Sequence, residues 1–234
     1  MDGMTVGQPR WAPGSFMERL TPEERDEVLG AGVTRSVSAG RQLLVEGRQE
    51  THVEIIREGY VKVTTEVGGA PRLLAVRLPG DIVGEFAAVT SHGRSATVTA
   101  GDGVVATVIR QHEFLRFLER RPHAAQQVMA TVGERLRWAN ARRSEFSAFP
   151  VHVRLARVLG DIAAVCGAAT EGGVMIQVPL TQAELATLIG AAPDSVQRAS
   201  RQLRELGHID TGYRRIVVRD PAELQALADA DPDL

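Results

Sequence analysis

The 234-residue chain carries 27 Lys and Arg against 29 Asp and Glu, a formal net charge of −2, with 44% hydrophobic residues. Those values fit a globular protein of one large or two small domains, and no run reaches the roughly 18 to 20 apolar residues of a membrane span. The single cysteine, Cys166, excludes an internal disulfide and a cysteine-ligated zinc or iron–sulfur site within one chain.

Met1 to Pro13 lacks the apolar core of a signal peptide, so residues 1–14 read as a flexible arm and the protein as cytoplasmic. Thr21-Pro22-Glu23-Glu24 is a helix start: Thr21 caps, Pro22 suits the first turn, and Glu24 completes a capping box. The helix should run to about Leu29. From Gly32 to Arg110 short β-rich runs alternate with glycine turns: Gln42–Val45, Val53–Arg57, Tyr60–Thr65, Arg72–Leu78, Ala96–Thr99 and Val104–Ile109. Strands of this length and spacing predict a β-sandwich or β-roll.

Within that region, Gly84-Glu85-Phe86-Ala87 is followed closely by Arg94-Ser95-Ala96. Glycines at 80 and 84 let the backbone approach a ligand. Glu85 can accept two ribose hydroxyls, and Arg94 presents a planar fork to a phosphate. The Ser95 hydroxyl and the amides of Ser95 and Ala96 add donors. On spacing alone, Glu85 and Arg94 fit either an anion pocket or an ion pair across a surface loop.

From His112 the pattern is helical. Ala125, Met129, Val132, Leu136 and Ala139 recur at alternating steps of four and three, and the series resumes at Phe146 after Arg143 interrupts it. That spacing suits a coiled-coil seam between two copies, or one long helix packed on its own β-domain. Phe149-Pro150 should end the helix and mark a hinge. A helix over Val153–Val165, a turn at Gly172-Gly173 and a strand at Met175–Val178 follow.

Thr181-Gln182-Ala183-Glu184 is a second capping box. Leu185, Leu188 and Ile189 give its helix an apolar face, Gly190 supplies a positive-φ turn, and Pro193 opens the next helix. There Val196, Leu203 and Leu206 should face inward, leaving Ser195, Gln197, Arg198, Arg201 and Gln202 outward. The pattern fits a helix-turn-helix or an ordinary helical hairpin. A β-hairpin wing over His208-Ile209 and Ile216–Val218 favours the former. From Thr181 to Arg219 six arginines face four acids, and Lys62 is the only lysine of the chain. The cations are thus almost all guanidinium groups, suited to phosphate and guanine.

Leu78-Pro79-Gly80-Asp81-Ile82-Val83-Gly84-Glu85, the Arg94-Ser95-Ala96 triplet, the turn glycines at 40, 47, 59, 80 and 84, and the downstream reader occur in one order. Together they resemble the cAMP receptor protein (CRP/FNR) family of bacterial regulators, over about residues 15 to 220. The resemblance implies an α+β fold with an N-terminal cyclic-nucleotide-binding β-roll (15–111), a long central dimerisation helix (112–148), a C-terminal winged helix-turn-helix (149–221) and an acidic tail (222–234).

It also implies roles. Glu85 would accept the ribose 2′-hydroxyl, Arg94 would pair with the cyclic phosphate beside Gly84, and Ser95 and the Ala96 amide would complete that shell. Arg135 would meet Glu85, and Leu74 and Ala75 would cover the base. At the two helix positions that reach the adenine in cAMP-responsive members, this chain has Ala139 and Asn140. Asn140 can still bond a base edge; Ala139 cannot. In the reader, Pro193, Asp194 and Arg198 take the principal base-reading positions, with Pro193 in place of an arginine. Thr181, Gln182, Ser195, Gln197 and Arg201 would line the DNA, and Arg214 and Arg215 of the wing would meet its backbone.

The expected protein is therefore a homodimer joined along Ala125–Phe146, allosterically controlled by cAMP or another cyclic nucleotide. It would use no metal, bind double-stranded DNA and RNA polymerase, and have no membrane contact. The alternatives are a regulator of the same fold that is ligand-independent or senses another molecule, and a nucleotide-binding subunit without DNA contact. Catalysis is not expected: His52, His92, His112, His123, His152 and His208 are scattered, and no nucleophile–base spacing is evident.

Overall fold

The computed structural model describes residues 11–90 and 92–229, which divide into two compact units. The first takes in residues up to 62 together with 76–131; the second takes in 63–75 and the chain from 132 onward. Residues 1–10 of the expected arm and 230–234 of the expected tail lie outside the described residues.

The first unit opens with two capped helices, α1 (Phe16–Arg19) and α2 (Pro22–Gly30). Both halves of the Thr21–Glu24 capping box are made. Residues 11–14 are packed rather than forming part of an arm: the Ala12 amide donates to the Pro79 carbonyl, and Trp11 lies against the core. Phe16 and Met17 are fully buried. A four-residue helix is too short to show a period, which is why the pattern did not reveal it.

Eight strands follow in the chain, β4 and β5 falling largely in the second unit: β1 (Val33–Val37), β2 (Gln42–Leu44), β3 (Val53–Glu58), β4 (Val61–Val67), β5 (Ala70–Arg77), β6 (Ile82–Val83), β7 (Thr97–Ala100) and β8 (Val104–Ile109). They make two four-stranded sheets, ordered β1-β8-β3-β6 and β2-β7-β4-β5. The six expected strands are all present; β1, the two-residue β6 and helix α3 (Glu85–Thr90) are additions. Strand β3 is central and pairs antiparallel with β8 and β6, setting Glu54 opposite Val108 and Val83. Val53, Glu54, Ile55 and Ile56 are all fully buried. Alternation puts Val53 and Ile55 on one face and Glu54 and Ile56 on the other. The first pair joins Ile82, Ile109, Phe114, Phe117 and Val128 in the main core.

The expected single helix over 112–148 is two helices, α4 (Gln111–Arg120) and α5 (Pro122–Ala148), with Arg121 between them at φ −124°, ψ 78°. Pro122 is the cause. It lacks the N–H that would continue the ladder and disfavours helical backbone in the residue before it.

In the second unit α6 (Val151–Cys166) precedes the short pair β9 (Gly167–Thr170) and β10 (Gly173–Ile176), then α7 (Gln182–Ile189), α8 (Pro193–Glu205), the hairpin β11 (Ile209–Gly212) and β12 (Arg215–Val218), and α9 (Pro221–Asp229). Helix α6 packs against α7, α8 and α9, and Leu155, Val158 and Leu159 are its buried centre. The short strands form one sheet ordered β11-β12-β10-β9. Most of the expected acidic tail is helix α9, anchored by Leu224 and Ala228, which are 0% and 1% exposed. These two apolar residues sit one turn apart on one face, a stripe too narrow to stand out among the acids.

The turn between α7 and α8 sets the geometry of the second unit. Gly190 is left-handed at φ 60°, ψ 47°, and its amide donates to the Ala186 carbonyl. A Cβ there would fall 2.7 Å from the Phe146 ring. We predict that Gly190→Ala destabilises the protein by about 1–2 kcal/mol from the left-handed backbone alone, with a further cost for moving Phe146. Gly30→Ala is the control, because nothing lies within 4 Å of its added methyl. Thermal unfolding of the two variants should show a clear drop for the first and little change for the second.

Candidate functional site

The first candidate site is built where β6 ends. The chain leaves Val83, turns through Gly84 at φ +83°, and enters α3 at Glu85. A Cβ on Gly84 would sit 2.5 Å from Arg94 Nη1 and 2.9 Å from the His52 carbonyl oxygen. Glycine is therefore required twice over, for the backbone angle and for the space Arg94 takes.

Arg94 is only 4% exposed. Its backbone is clamped, the amide donating to the Arg48 carbonyl and its own carbonyl accepting from the Gly47 amide, both at 2.8 Å. Its guanidinium donates from Nη1 to the Gly84 carbonyl at 3.1 Å and from Nη2 to the His52 carbonyl at 2.7 Å. Nη2 also lies 3.2 Å from His52 Nδ1. The Nε atom is buried and has no hydrogen-bond partner among the described residues. Burial pulls the guanidinium pKa below its ordinary value, opposed by the charges of Glu50, Glu54 and Glu85. A buried cation with an unmatched N–H is costly unless an anion completes its shell.

Glu85 is 8% exposed. Ser95 is exposed and Ala96 half-buried. Gly84, Glu85, Arg94, Ser95 and Ala96 thus all belong to the first unit, and the Gly84–Arg94 contact is direct. The remaining expected pocket residues fall in the second unit. Leu74 on β5 is 41% exposed, Ala75 and Arg135 are half-buried, and Asn140 on α5 is exposed. Three residues to which the sequence assigns no pocket role are linked to Arg94: His52, and through it Glu54 and Arg35. Their one legible trace is a carboxylate inside the apolar run Val53-Glu54-Ile55-Ile56.

On α5 the expected seam residues Met129 and Leu136 are 75% and 60% exposed. Ala139 is exposed, and Ala125 and Val132 are half-buried. Phe146, which the repeat assigned to the same seam, is 42% exposed, and its ring also lies against Gly190 and beside the Arg154 guanidinium, 5.7 Å away. Around the Phe149-Pro150 break, charged groups bind the helices together. Arg142 pairs with Glu145 at 3.0 Å and Asp161 at 2.6 Å. Arg157 pairs with Glu145 at 3.1 Å, stacks 3.7 Å from the Phe149 ring, and donates to the Ala228 carbonyl of α9.

The second candidate site is the pair α7 and α8. The Thr181–Glu184 capping box is complete, and Pro193 stands in the first turn of α8. Arg154 donates to the Ile189 and Gly190 carbonyls, matching carbonyls that the helix end leaves free. Val196, Ala199 and Leu203 are the buried stripe of α8. Leu206, expected to face inward, is 55% exposed; it is the C-cap of the helix, where the inward stripe has ended. Thr181, Gln182, Asp194, Gln197, Arg198, Arg201 and Gln202 are exposed, and Ser195 is half-buried. Arg198 Nη2 donates to Ser195 Oγ at 2.9 Å, which holds the guanidinium over the first turn. In the wing, Tyr213 is 94% exposed and Arg214 has φ 53°; Arg215 is exposed beside them. Arg219 pairs with Asp210 across the hairpin.

One further contact lies wholly within the second unit. The Leu73 amide of β5 donates to Thr187 Oγ1 at 3.0 Å, clipping the hairpin edge to α7.

Comparison with known proteins agrees with this anatomy. The family model for the cyclic nucleotide-binding domain matches residues 34–121, and that for the Crp-like helix-turn-helix domain matches 153–227. The "Cyclic AMP receptor protein" of Thermus thermophilus is 27% identical over 210 residues, covering 89% of this chain and 94% of that protein. A CooA mutant from Carboxydothermus hydrogenoformans has the same fold, with a TM-score of 0.74 at 18% identity over 95% of this chain and 99% of that one. So has the c-di-GMP responsive global regulator CLP of Xanthomonas campestris, with a TM-score of 0.73 at 16% identity over 86% of this chain and 100% of that one. A cyclic nucleotide-binding domain followed by a Crp-like DNA reader, in a chain similar along almost its whole length to a cyclic AMP receptor protein, places this protein in the CRP/FNR family of DNA-binding transcription regulators rather than among enzymes.

Proposed function

We propose that this chain is a cytoplasmic homodimeric regulator whose operator binding is controlled by a cyclic nucleotide, with cAMP the first candidate. The observation that carries the reading is Arg94: a buried guanidinium held by two carbonyls, with its Nε–H unmatched. A singly charged cyclic phosphate would take that N–H and neutralise the cation. Glu85 would accept the ribose hydroxyl, and Ser95 and the Ala96 amide would add donors to the phosphate. Leu74 and Ala75 would cover the base, Arg135 would serve Glu85, and Asn140 would bond the base edge. The similarity to a protein named as a cyclic AMP receptor supports cAMP over other nucleotides.

Ala139 favours the second reading, a regulator of the same fold tuned to another effector or to none. An alanine offers the base nothing, and loss of one hydrogen bond costs roughly 0.5–1.5 kcal/mol, about threefold to tenfold in affinity. The fold likeness to a c-di-GMP responsive regulator makes that dinucleotide the informative competitor.

The exposed Met129 and Leu136, with Ala125, Val132 and Ala139 in one repeat, supply a seam for a second copy of α5. In a dimer, two α8 helices would enter successive major grooves about 34 Å apart. Asp194 and Arg198 would read bases; Thr181, Gln182, Ser195, Gln197, Arg201, Arg214 and Arg215 would hold the duplex. The effector acts only through its different affinity for two arrangements of the dimer. RNA polymerase is the expected partner at the promoter.

Three measurements test this reading. Calorimetric titration should show saturable binding of cAMP, weaker binding of cGMP and c-di-GMP, and a loss of about two orders of magnitude in Arg94→Leu, since hydrogen bonds to charged groups contribute roughly 1.5–3 kcal/mol each. Binding that survives Arg94→Leu would move the pocket elsewhere. Leu136→Glu should give monomers in sedimentation analysis without unfolding; an unchanged mass would place the dimer seam on another face. Arg198→Ala should cost about 1–3 kcal/mol at one operator position and relax selectivity there. Arg214→Ala should weaken all sequences alike and lower the salt slope by about one. Mobility-shift titrations across salt separate the two.

A further inference from the structure

Glu54 is a fully buried carboxylate in the middle of β3, and nothing above gives it work. It contacts two basic groups, Arg35 and His52, and through the second reaches Arg94. Arg35 of β1 holds both its oxygens, Nε at 3.2 Å from Oε2 and Nη2 closer still on Oε1. His52 Nε2, at the foot of the same strand, lies 3.3 Å from Oε1. The other nitrogen of that ring, Nδ1, lies 3.2 Å from Arg94 Nη2. The groups form one chain, Arg35–Glu54–His52–Arg94, from the far edge of the sheet to the cation of the anion site.

The chemistry of the partners fixes the ring's proton. An arginine can only donate, so His52 Nδ1 must be the acceptor. A neutral imidazole accepting at Nδ1 carries its hydrogen on Nε2, where it faces the carboxylate. Glu54 in turn cannot rotate away, because Arg35 occupies both its oxygens and Arg35 is itself tethered to the Leu43 carbonyl at 3.2 Å. The arrangement has the form of a carboxylate–histidine couple in which an outer acid selects the tautomer and orientation of the ring it serves.

We infer that His52 and Glu54 are positioning residues for the effector phosphate: they lock the imidazole as an acceptor that orients the Arg94 guanidinium. The inference rests on the reading of Arg94 as the phosphate-binding group. With Nη1 taken by Gly84 and Nη2 by the His52 carbonyl and ring, the guanidinium plane has no remaining freedom, and its unmatched Nε–H has one fixed direction. Preorganisation of this kind raises affinity by removing the cost of ordering the side chain on binding.

The test has a ligand-free arm and a binding arm. In the full-length protein with 15N-labelled histidine, long-range proton–nitrogen spectra should show His52 as the neutral Nε2–H form, and Arg94 should give a resolved guanidinium signal. Both should change in Glu54→Gln, and the Arg94 signal should broaden in His52→Leu. A ring protonated at Nδ1, or an Arg94 signal indifferent to His52→Leu, would overturn the inference.

In the binding arm, titration with cAMP should show His52→Leu weakened about tenfold. His52→Asn, whose amide oxygen can stand near the Nδ1 position, should recover most of the loss. A merely structural role predicts that both variants weaken in step with their loss of thermal stability, and that result would also overturn it. If the wild-type protein binds no cyclic nucleotide at all, the effector reading fails, while the spectra still decide whether His52 orients Arg94.

Discussion

The candidate pocket of the first unit is organised around one buried guanidinium. Arg94 is held by main-chain carbonyls from two separate segments, Gly84 after β6 and His52 before β3. Neither carbonyl can move without moving a strand. The cation is therefore placed by the sheets themselves, and its side-chain entropy has been lost before any ligand arrives. Lysine would not serve: a flexible ammonium cannot span two carbonyls and still present an N–H in a fixed plane. The glycine at 84 follows from the same constraint, since any side chain there would occupy the space of Nη1.

The second unit uses the same device. Arg154 of α6 donates to the carbonyls of Ile189 and Gly190, where α7 ends, while Arg157 donates to the Ala228 carbonyl of α9. Each guanidinium thus ties a helix of the DNA reader to α6. Phe146 adds an apolar contact at the Gly190 turn, and Arg142, Glu145 and Asp161 pair around the break between α5 and α6. Movement of α5 is consequently not free of the reader. A shift that disturbed Phe146 or Glu145 would act on the α7–α8 turn and on α6. The clip between Leu73 and Thr187 gives the β5 edge a hold on α7 as well.

Where an expectation rested on local chemistry, the structure has the expected element. The two capping boxes, the left-handed Gly190, Pro193 in the first turn of α8 and the wing hairpin each depend on a few adjacent residues, so adjacent residues announce them. The expectations that failed were those where a short apolar motif is committed by something distant. Phe16-Met17 and Leu224/Ala228 look incidental in a polar context, and only the core they enter makes them structural. Pro122 lies before the apolar repeat, which begins at Ala125, so the repeat carries no trace of the break.

The sequence by itself determined the architecture and the order of nucleotide-binding domain and reader, and it singled out Arg94 as the candidate anion-binding group. Strand alternation, turn glycines and helix caps are short-range consequences of backbone sterics, and they are written in consecutive residues. Only the tertiary structure decided how Arg94 is held, that Glu54 is wholly buried, and that His52 joins the two. Arg94 lies 42 residues from His52 and 40 from Glu54 in the chain, and no periodicity connects it to them. Their association comes from the register that sets β3 between β6 and β8, which is a property of the folded sheet. Hydrogen bonds between such groups form only after long-range pairing has brought their backbones together.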